Sequence, residues 1–247
     1  MNNVIYNFTG QNFLVTGASS GIGKQVVIDL ANAGANVLAI ARRSDLLNEL
    51  TEKFPNQISP AAVSVTDYEA VALTIKTFVA EHGKLDGCVH AAGHVEFTPI
   101  NSYEDEIAKD IMNVNFWGGM NLIKEISKKR HSQNEASFVL ISSTAGHFAN
   151  KGQFAYSATK AALRIACKSI AREIVAKKQR INTISPAWVI TPMTQNSDYQ
   201  EKNAERIKKY PLGFGMPEDI SSFALYLLSD KAKWITGKDF IIDGGVY

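Results

Sequence analysis

The chain has 247 residues, of which 45% are hydrophobic and 20% charged, so it can bury a sizeable core and is not a disordered chain. Its 26 Lys and Arg residues nearly balance its 24 Asp and Glu residues, and the formal net charge of +2 argues against a nucleic-acid partner. The two cysteines lack metal-ligand spacing, the first residues lack a signal-peptide pattern, and the apolar runs are far shorter than the ~20 residues of a membrane-spanning helix. We therefore expect a soluble, cytoplasmic protein without a metal site or a membrane anchor.

Short apolar or β-branched runs alternate with longer helix-like segments along the chain. Strands are predicted at Asn12–Thr16, Asn36–Ile40, Ala61–Val65, Gly87–His90, Ser137–Ser142, Arg180–Ile184 and Asp239–Ile242. Helices are predicted at Ile22–Ala33, Asp45–Phe54, Tyr68–His82, Tyr103–Lys129, Ala155–Lys177 and Glu218–Leu228. This alternation indicates right-handed βαβ crossovers and an α/β fold: a single doubly wound parallel sheet of the Rossmann type with helices on both faces.

No Pro/Gly/Ser-rich linker and no internal repeat interrupts the alternation, so residues 1–247 are predicted to form one domain. The least regular stretch, residues 187–215, is rich in Asn, Gln, Lys and Tyr. Such a long polar connection is typical either of an active-site lid or of a poorly ordered surface loop, and both interpretations stay open.

A glycine-rich turn lies between the first strand and the first helix, where residues 16–23 read TGASSGIG. Glycines permit a tight turn and let the backbone approach a pyrophosphate, which then lies at the positive N-terminus of the helix. The spacing is G-x-x-x-G-x-G, not the G-x-G-x-x-G of the commonest dinucleotide fingerprint. Its position in an α/β chain favours a cofactor-phosphate site over a purely structural turn. The predicted contacts are Gly17, Ser19, Ser20, Gly21, Ile22 and Gly23.

The second strand ends at two arginines, Arg42 and Arg43, and Arg42 follows Gly23 by 19 residues. Such folds place the residue that binds the adenosine ribose at ~20 residues, and NAD enzymes use a carboxylate there. Here Ala41 removes the carboxylate and two guanidiniums follow, which suit a 2′-phosphate. The alternative is two solvated arginines at a helix start. We interpret the pair as a preference for NADP(H) over NAD(H).

Tyr156 and Lys160 are four residues apart in a predicted helix, so both side chains lie on the same face. A Y-x-x-x-K pair alone is a weak signal. It is accompanied by Ser143, which follows a predicted strand 13 residues before Tyr156, and by Asn115 in the preceding long helix.

In these motifs the chain resembles the single-domain branch of the short-chain dehydrogenase/reductase family, and through Gln153 its 3-oxoacyl-thioester reductases. The resemblance implies hydride transfer between NADP(H) and a small-molecule carbonyl or alcohol, in a homo-oligomer that is a dimer or a tetramer. It spans essentially the whole chain and is carried by Thr16–Gly23, His90–Gly93, Asn115, Ser143, Tyr156, Lys160, Pro186–Thr191 and Asp243–Gly245.

The resemblance assigns a role to each catalytic residue. Tyr156 is the general acid in reduction and the base in oxidation, and the ammonium of Lys160 is expected to lower the Tyr156 pKa from near 10. Ser143 hydrogen-bonds the substrate oxygen. Asn115 distorts its helix and holds a water that links Lys160 to solvent; the alternative is a satisfied polar residue in a buried helix.

Further cofactor contacts implied by the resemblance are Val65, Ala91, Ala92, Gly93, Tyr156, Lys160, Pro186, Val189 and Thr191. Three positions depart from the family pattern. His90-Ala91 replaces the usual Asn-Asn, which is expected to lose side-chain donors that brace the sheet. Ser64 replaces an adenine-contacting Asp, while Asp67 is predicted to be a helix N-cap. Ala187 replaces the usual Gly after Pro186.

The substrate cavity is predicted between Ser143 and Tyr156, with residues of 187–215 opposite. His147 is more typical of a solvated or packing group than of an acid or base. The sequence leaves two alternatives to a carbonyl reductase: an NAD-linked alcohol or sugar dehydrogenase, and a catalytically silent dinucleotide-binding sensor. The predicted substrate contacts are Ser143, Ala145, His147, Gln153, Tyr156 and Trp188, with Phe148, Phe154 and Met193 adjoining.

Overall fold

A computed structural model describes residues 4–195 and 207–247. One sheet has the strand order β3-β2-β1-β4-β5-β6-β7, and every neighbouring pair is parallel. Its strands are β1 Asn12–Thr16, β2 Asn36–Ala41, β3 Ile58–Ala62, β4 Leu85–His90, β5 Ser132–Ile141, β6 Arg180–Pro186 and β7 Asp239–Ile242. The predicted doubly wound parallel sheet is confirmed.

Helices connect successive strands and cover both faces of the sheet. In the described part of the chain they are α1 Gly21–Asn32, α2 Ser44–Lys53, α3 Tyr68–His82, α4 Asp105–Met112, α5 Gly118–Ile126, α6 Ala145–Phe148, α7 Phe154–Ile174 and α8 Pro217–Leu228. A π-helical turn, Asn113–Trp117, joins α4 to α5. Short 3-10 turns follow α7 and α8 at Val175–Lys177 and Asp230–Ala232.

The core consists of two apolar layers, one on each face of the sheet. All five residues of β1 are buried, as expected for a central strand of a parallel sheet. Because side chains alternate along a strand, Val15 of β1 packs in the layer under α1 and α8, whereas Leu14 packs in the layer under α3, α5 and α7. The two layers fix the positions at which the strands end.

The strand order reverses at β1, which lies between β2 and β4. Parallel strands present their carboxyl ends at one edge, and a crevice opens where connections leave toward opposite faces. Thr16, Ala41 and His90 end β1, β2 and β4 at this place. The topology alone therefore puts a binding crevice beside the glycine-rich turn.

The third strand and the long fourth helix differ from their predictions. β3 lies at Ile58–Ala62 rather than Ala61–Val65, since Pro60 is tolerated on an edge strand, where it pairs with Ala39. The predicted helix Tyr103–Lys129 is broken by the π-helical turn. Residues 196–206 of the predicted lid, 187–215, lie outside the described residues. The two ends of the lid pair with each other, since Ile190 N donates to Gly215 O at 2.8 Å.

Within residues 4–195 and 207–247, no group of three or more His, Cys, Asp or Glu side chains is placed to hold a metal ion. None of the helices in these ranges combines the length and the apolar character that crossing a membrane would need.

Candidate active site

The glycine-rich turn leaves β1 in a conformation that only glycine accommodates. Gly17 has φ +68°, and a Cβ there would lie 2.8 Å from the backbone of Ala91 and Ala92. The close approach packs the turn against the loop that follows β4. Helix α1 begins at Gly21 with no acidic residue in its first turn, so its positive end is available to an anion.

The Arg43 side chain hydrogen-bonds the two serine hydroxyls of this turn. Its Nη2 donates to Ser19 Oγ at 2.9 Å and to Ser20 Oγ at 2.8 Å, and its Nε donates to Ser19 Oγ at 3.3 Å. Arg42 is exposed and lines the same cleft. A guanidinium with two adjacent hydroxyls can bind a phosphate monoester beside the pyrophosphate position at α1.

One cleft runs from these arginines along the ends of the central strands to α7. The structure places every predicted cofactor contact on it: Gly17, Ser19, Ser20, Gly21, Ile22, Gly23, Arg42, Arg43, Val65, Ala91, Ala92, Gly93, Tyr156, Lys160, Pro186, Val189 and Thr191. These residues come from separate parts of the sequence, and the shared edge of the sheet brings them together.

The cleft also has lining residues that the sequence reasoning missed, among them Val63, His94, Val114 and Thr194. Thr194 organises the stretch after β6: its Oγ1 donates to Val189 O at 2.7 Å and accepts from Thr191 N at 2.9 Å. A threonine three residues after Thr191 is a local turn signal that could have identified it.

Ser143, Tyr156 and Lys160 meet at the far end of the cleft. Tyr156 and Lys160 are one turn apart on α7, and Lys160 Nζ lies 5.6 Å from the centroid of the Tyr156 ring. Ser143 follows β5, hydrogen-bonds the Tyr156 side chain, and accepts from Ala145 N at 3.1 Å through its Oγ. Lys160 is buried, and its Nζ donates to Ile141 O at 2.9 Å.

The direction of the Tyr156 pKa shift differs from the expectation. Burial raises the pKa of Tyr156 above its usual value, and the hydrogen bond with Ser143 opposes that rise. Burial also lowers the pKa of Lys160 to about 8. The predicted lowering of the Tyr156 pKa by Lys160 is therefore wrong for this structure, because removal from water disfavours both charged forms and the ammonium is directed to a backbone carbonyl.

Asn115 lies in the π-helical turn, which is the helix distortion that the resemblance implied. Its side chain is fully buried: Nδ2 donates to His94 O at 2.9 Å and to Thr159 Oγ1 at 3.3 Å, while Oδ1 accepts from His94 N at 2.9 Å. Asn115 does not line the cleft. Its amide fixes the loop after Gly93, which favours the alternative of a satisfied structural residue; the water relay stays a prediction.

His90 and Ser64, at two of the departures from the family pattern, both hydrogen-bond neighbouring side chains. Thr16 Oγ1 lies 2.8 Å from His90 Nδ1 and accepts from Ala92 N at 3.3 Å, so one ring nitrogen of His90 still braces the end of β1. Its buried Nε2 has no hydrogen-bond partner among the described residues, so the expected loss of bracing is only partial. Burial and, second, the charge of Lys160 lower the pKa of His90 to about 3. The predicted N-cap is confirmed, since the Asp67 side chain accepts from Ala70 N at 3.0 Å.

Of the six predicted substrate contacts, Ser143 and Tyr156 line the cleft, as does the adjoining Met193. Ala145, His147, Gln153 and Trp188 do not line it. The segment after Ser143 coils into α6, which buries Ala145 and turns His147 toward β7. Gln153 Oε1 accepts from Asn150 Nδ2 at 3.1 Å. The Trp188 ring packs 5.9 Å from the Phe214 ring, centroid to centroid.

Comparisons with known proteins agree with this geometry. A family model described as enoyl-(acyl carrier protein) reductase matches residues 17–247. The 3-oxoacyl-(acyl carrier protein) reductase of Thermotoga maritima is 32% identical over 96% of this chain and 98% of its own, and that of Vibrio harveyi is 30% identical over 98% and 99%.

Solved structures are similar over nearly the full length as well. A short-chain type dehydrogenase/reductase from Mycobacterium ulcerans is 30% identical, with a TM-score of 0.90 over 97% of this chain and 90% of that chain. A structure from Brucella melitensis, named as a short-chain dehydrogenase/reductase and glucose/ribitol dehydrogenase, reaches a TM-score of 0.94 at 24% identity over 99% of both chains. The latter likeness concerns the fold alone.

Proposed function

Because the chain belongs to the short-chain dehydrogenase/reductase family, we propose that it is an NADP(H)-dependent carbonyl reductase that acts on 3-oxoacyl thioesters. One observation carries the proposal: a single cleft has the glycine-rich turn and Arg43 at one end and Ser143, Tyr156 and Lys160 at the other. A dinucleotide laid along such a cleft has its phosphates at the turn and its nicotinamide beside the phenol.

The preference for NADP(H) is supported by the charge at the end of β2. Ala41 offers no carboxylate to a ribose hydroxyl, whereas Arg43 and the hydroxyls of Ser19 and Ser20 offer several donors to a 2′-phosphate. NAD(H) would leave this guanidinium without an anionic partner. An NAD-linked alcohol or sugar dehydrogenase is therefore the weaker interpretation.

NADPH, when bound, supplies the hydride, and the chain supplies the proton and the electrostatics. The phenol of Tyr156 is protonated at neutral pH and is more acidic than the alcohol formed when the hydride is added, so it can give its proton to the developing alkoxide even with the pKa raised by burial. Ser143 Oγ accepts from Ala145 N and hydrogen-bonds the Tyr156 side chain, which places both hydroxyls where a substrate oxygen with developing negative charge would bind. Lys160, with a pKa of about 8, is mostly charged at neutral pH, and its Nζ lies 5.6 Å from the centroid of the Tyr156 ring.

The thioester substrate is proposed from the relatives, both of which are named as 3-oxoacyl-(acyl carrier protein) reductases. Three further proposals accompany it: the chain acts as a single domain, in the cytoplasm, and as a homo-oligomer. Analytical ultracentrifugation tests the last of these, with a monomer contradicting it.

The direct experiment follows NADPH or NADH absorbance with a short 3-oxoacyl thioester, a panel of ketones, and alcohols or sugars in the oxidative direction. We expect the thioester to be reduced with NADPH. Tyr156→Phe should lower kcat on the order of a hundredfold or more and leave NADPH binding intact, because it removes only the transferable proton. Turnover confined to alcohols with NAD+ would contradict the proposal, and NADPH binding without any turnover would favour a silent sensor.

A further inference from the structure

Asp239, the first residue of β7, carries a fully hydrogen-bonded carboxylate outside the cleft. Its Oδ1 accepts from Thr183 Oγ1 at 2.6 Å and from Ser185 Oγ at 2.7 Å. Its Oδ2 lies 2.7 Å from His147 Nε2 and accepts from Arg164 Nε at 3.1 Å. The side chain is only 9% exposed, so the carboxylate is held largely out of water by these partners.

Arg164 connects this carboxylate to α6. It lies one turn after Lys160 on α7, and while its Nε donates to Asp239, its Nη1 donates to Gly146 O at 2.6 Å. His147, the next residue of α6, reaches the same carboxylate oxygen. Gly146 and His147 of α6 are thus both connected to Asp239 of β7, the first through Arg164 and the second directly.

The other side of α6 rests on α7 at the level of Lys160. A Cβ on Gly146 would lie 2.7 Å from Ala161 N and 2.8 Å from the carbonyl carbon of Lys160. Ser142 Oγ donates to Lys160 O at 2.9 Å, and Ala145 N donates to Ser143 Oγ. The position of the Ser143 hydroxyl relative to Tyr156 therefore depends on how firmly α6 is seated.

We infer that Asp239 is a positioning residue, which through Arg164 and His147 seats α6 on α7 and so holds the Ser143 hydroxyl against Tyr156. The inference rests on the proposed function, in which Ser143 polarises the substrate carbonyl. A misplaced hydrogen-bond donor costs transition-state stabilisation even when cofactor binding is intact, because donors act at a defined distance from the reacting oxygen.

The test uses Asp239→Asn in the full-length chain, with two readouts. Hydrogen exchange should become faster in the segment 144–149, whose amides at His147, Phe148 and Ala149 bond within α6. The value of kcat per NADPH-binding site should fall on the order of tenfold, while the NADPH Kd stays unchanged. Arg164→Lys should retain more kcat than Arg164→Met.

Glu125→Gln provides a matched control. Glu125 is a partly buried carboxylate beside three basic residues, Lys128, Arg130 and His131, and it does not line the cleft. The same carboxylate-to-amide change there should lower stability without altering exchange in 144–149 or kcat. An equal loss of kcat in both variants would mean general destabilisation and would overturn the inference.

Two other results would also overturn it: unchanged exchange in Asp239→Asn, or faster exchange with kcat per site unchanged. If Asp239→Asn does not fold, His147→Gln removes one of the four contacts and is measured in the same two ways. A wild-type chain without turnover on any substrate would refute the proposed function instead, and the exchange measurement would still decide whether Asp239 seats α6.

Discussion

The two halves of the cleft were not equally predictable. In the cofactor half, between β2 and the loop after β4, every predicted contact lines the cleft. In the substrate half, after β5 and β6, Ser143 and Tyr156 do so among the six predicted substrate contacts, together with the adjoining Met193. The cofactor half is specified by strand ends and a turn whose geometry is local, whereas the substrate half depends on contacts between residues far apart in sequence, such as His147 and Asp239.

The largest mutational effect is expected at Gly17, and it tests whether the cofactor half depends on the local geometry of the glycine-rich turn. Gly17→Ala imposes a side chain at φ +68° and a contact of 2.8 Å with the Ala91 and Ala92 backbone, so the two loops must separate. We expect a loss of about 3 kcal/mol in the free energy of unfolding and a large increase in the NADPH Kd. Denaturant unfolding and fluorescence titration measure the two quantities.

Gly10 provides the control for Gly17. It has a similar φ of +79°, but a Cβ there meets nothing within 4 Å, so Gly10→Ala reports the backbone strain alone, about 1 kcal/mol. Equal losses in the two variants would show that the close approach of the turn to Ala91 is not what holds the cofactor half together.

The next effect concerns the choice of cofactor. Arg43→Ala should raise the KM for NADPH about tenfold and leave the KM for NADH nearly unchanged, because it removes a charge that only a 2′-phosphate engages. Arg42→Ala, at the exposed neighbour of the arginine that bonds Ser19 and Ser20, should have the smaller effect on the NADPH/NADH ratio. A larger effect of Arg42→Ala than of Arg43→Ala would mean that Arg42 is the residue that binds the 2′-phosphate.

A pH effect of smaller size is expected from His90. Its pKa is lowered to about 3 in the folded chain, so the unfolded chain, with a pKa near 6.5, binds the additional proton as the pH falls below that value. The contribution to stability is complete above pH 6.5 and is lost toward pH 3. We expect about 1 kcal/mol less stability at pH 5.5 than at pH 7.5, measured by denaturant unfolding.

His90→Asn should flatten this acid slope, whatever it does to stability at pH 7.5, because it removes the titrating group. His82→Gln, which changes an exposed histidine at the end of α3, is the control and should leave the slope in place. An unaltered slope in His90→Asn would place the acid sensitivity elsewhere in the chain.

The sequence was informative wherever the signal and the structure it specifies are close together in the chain. The Asp67 cap bonds an amide three residues later, and the glycine-rich turn is read from eight consecutive residues. β3 begins three residues earlier than predicted and includes Pro60, which an edge strand accepts. Nothing near His147 in sequence indicated that its partner would be 92 residues away on β7.

The smallest effect is expected at Gln153, where a different result would contradict the conclusion that the substrate half was poorly predicted. Through Gln153 the chain resembles 3-oxoacyl-thioester reductases, yet its Oε1 accepts from Asn150 Nδ2 and it does not line the cleft. Gln153→Ala should therefore change the KM for the thioester by less than about twofold, in line with an exposed hydrogen bond of small net strength. A tenfold increase at unchanged stability would mean that the residues between α6 and α7 turn toward the substrate when it binds, and that the sequence had described the substrate half correctly for the bound enzyme.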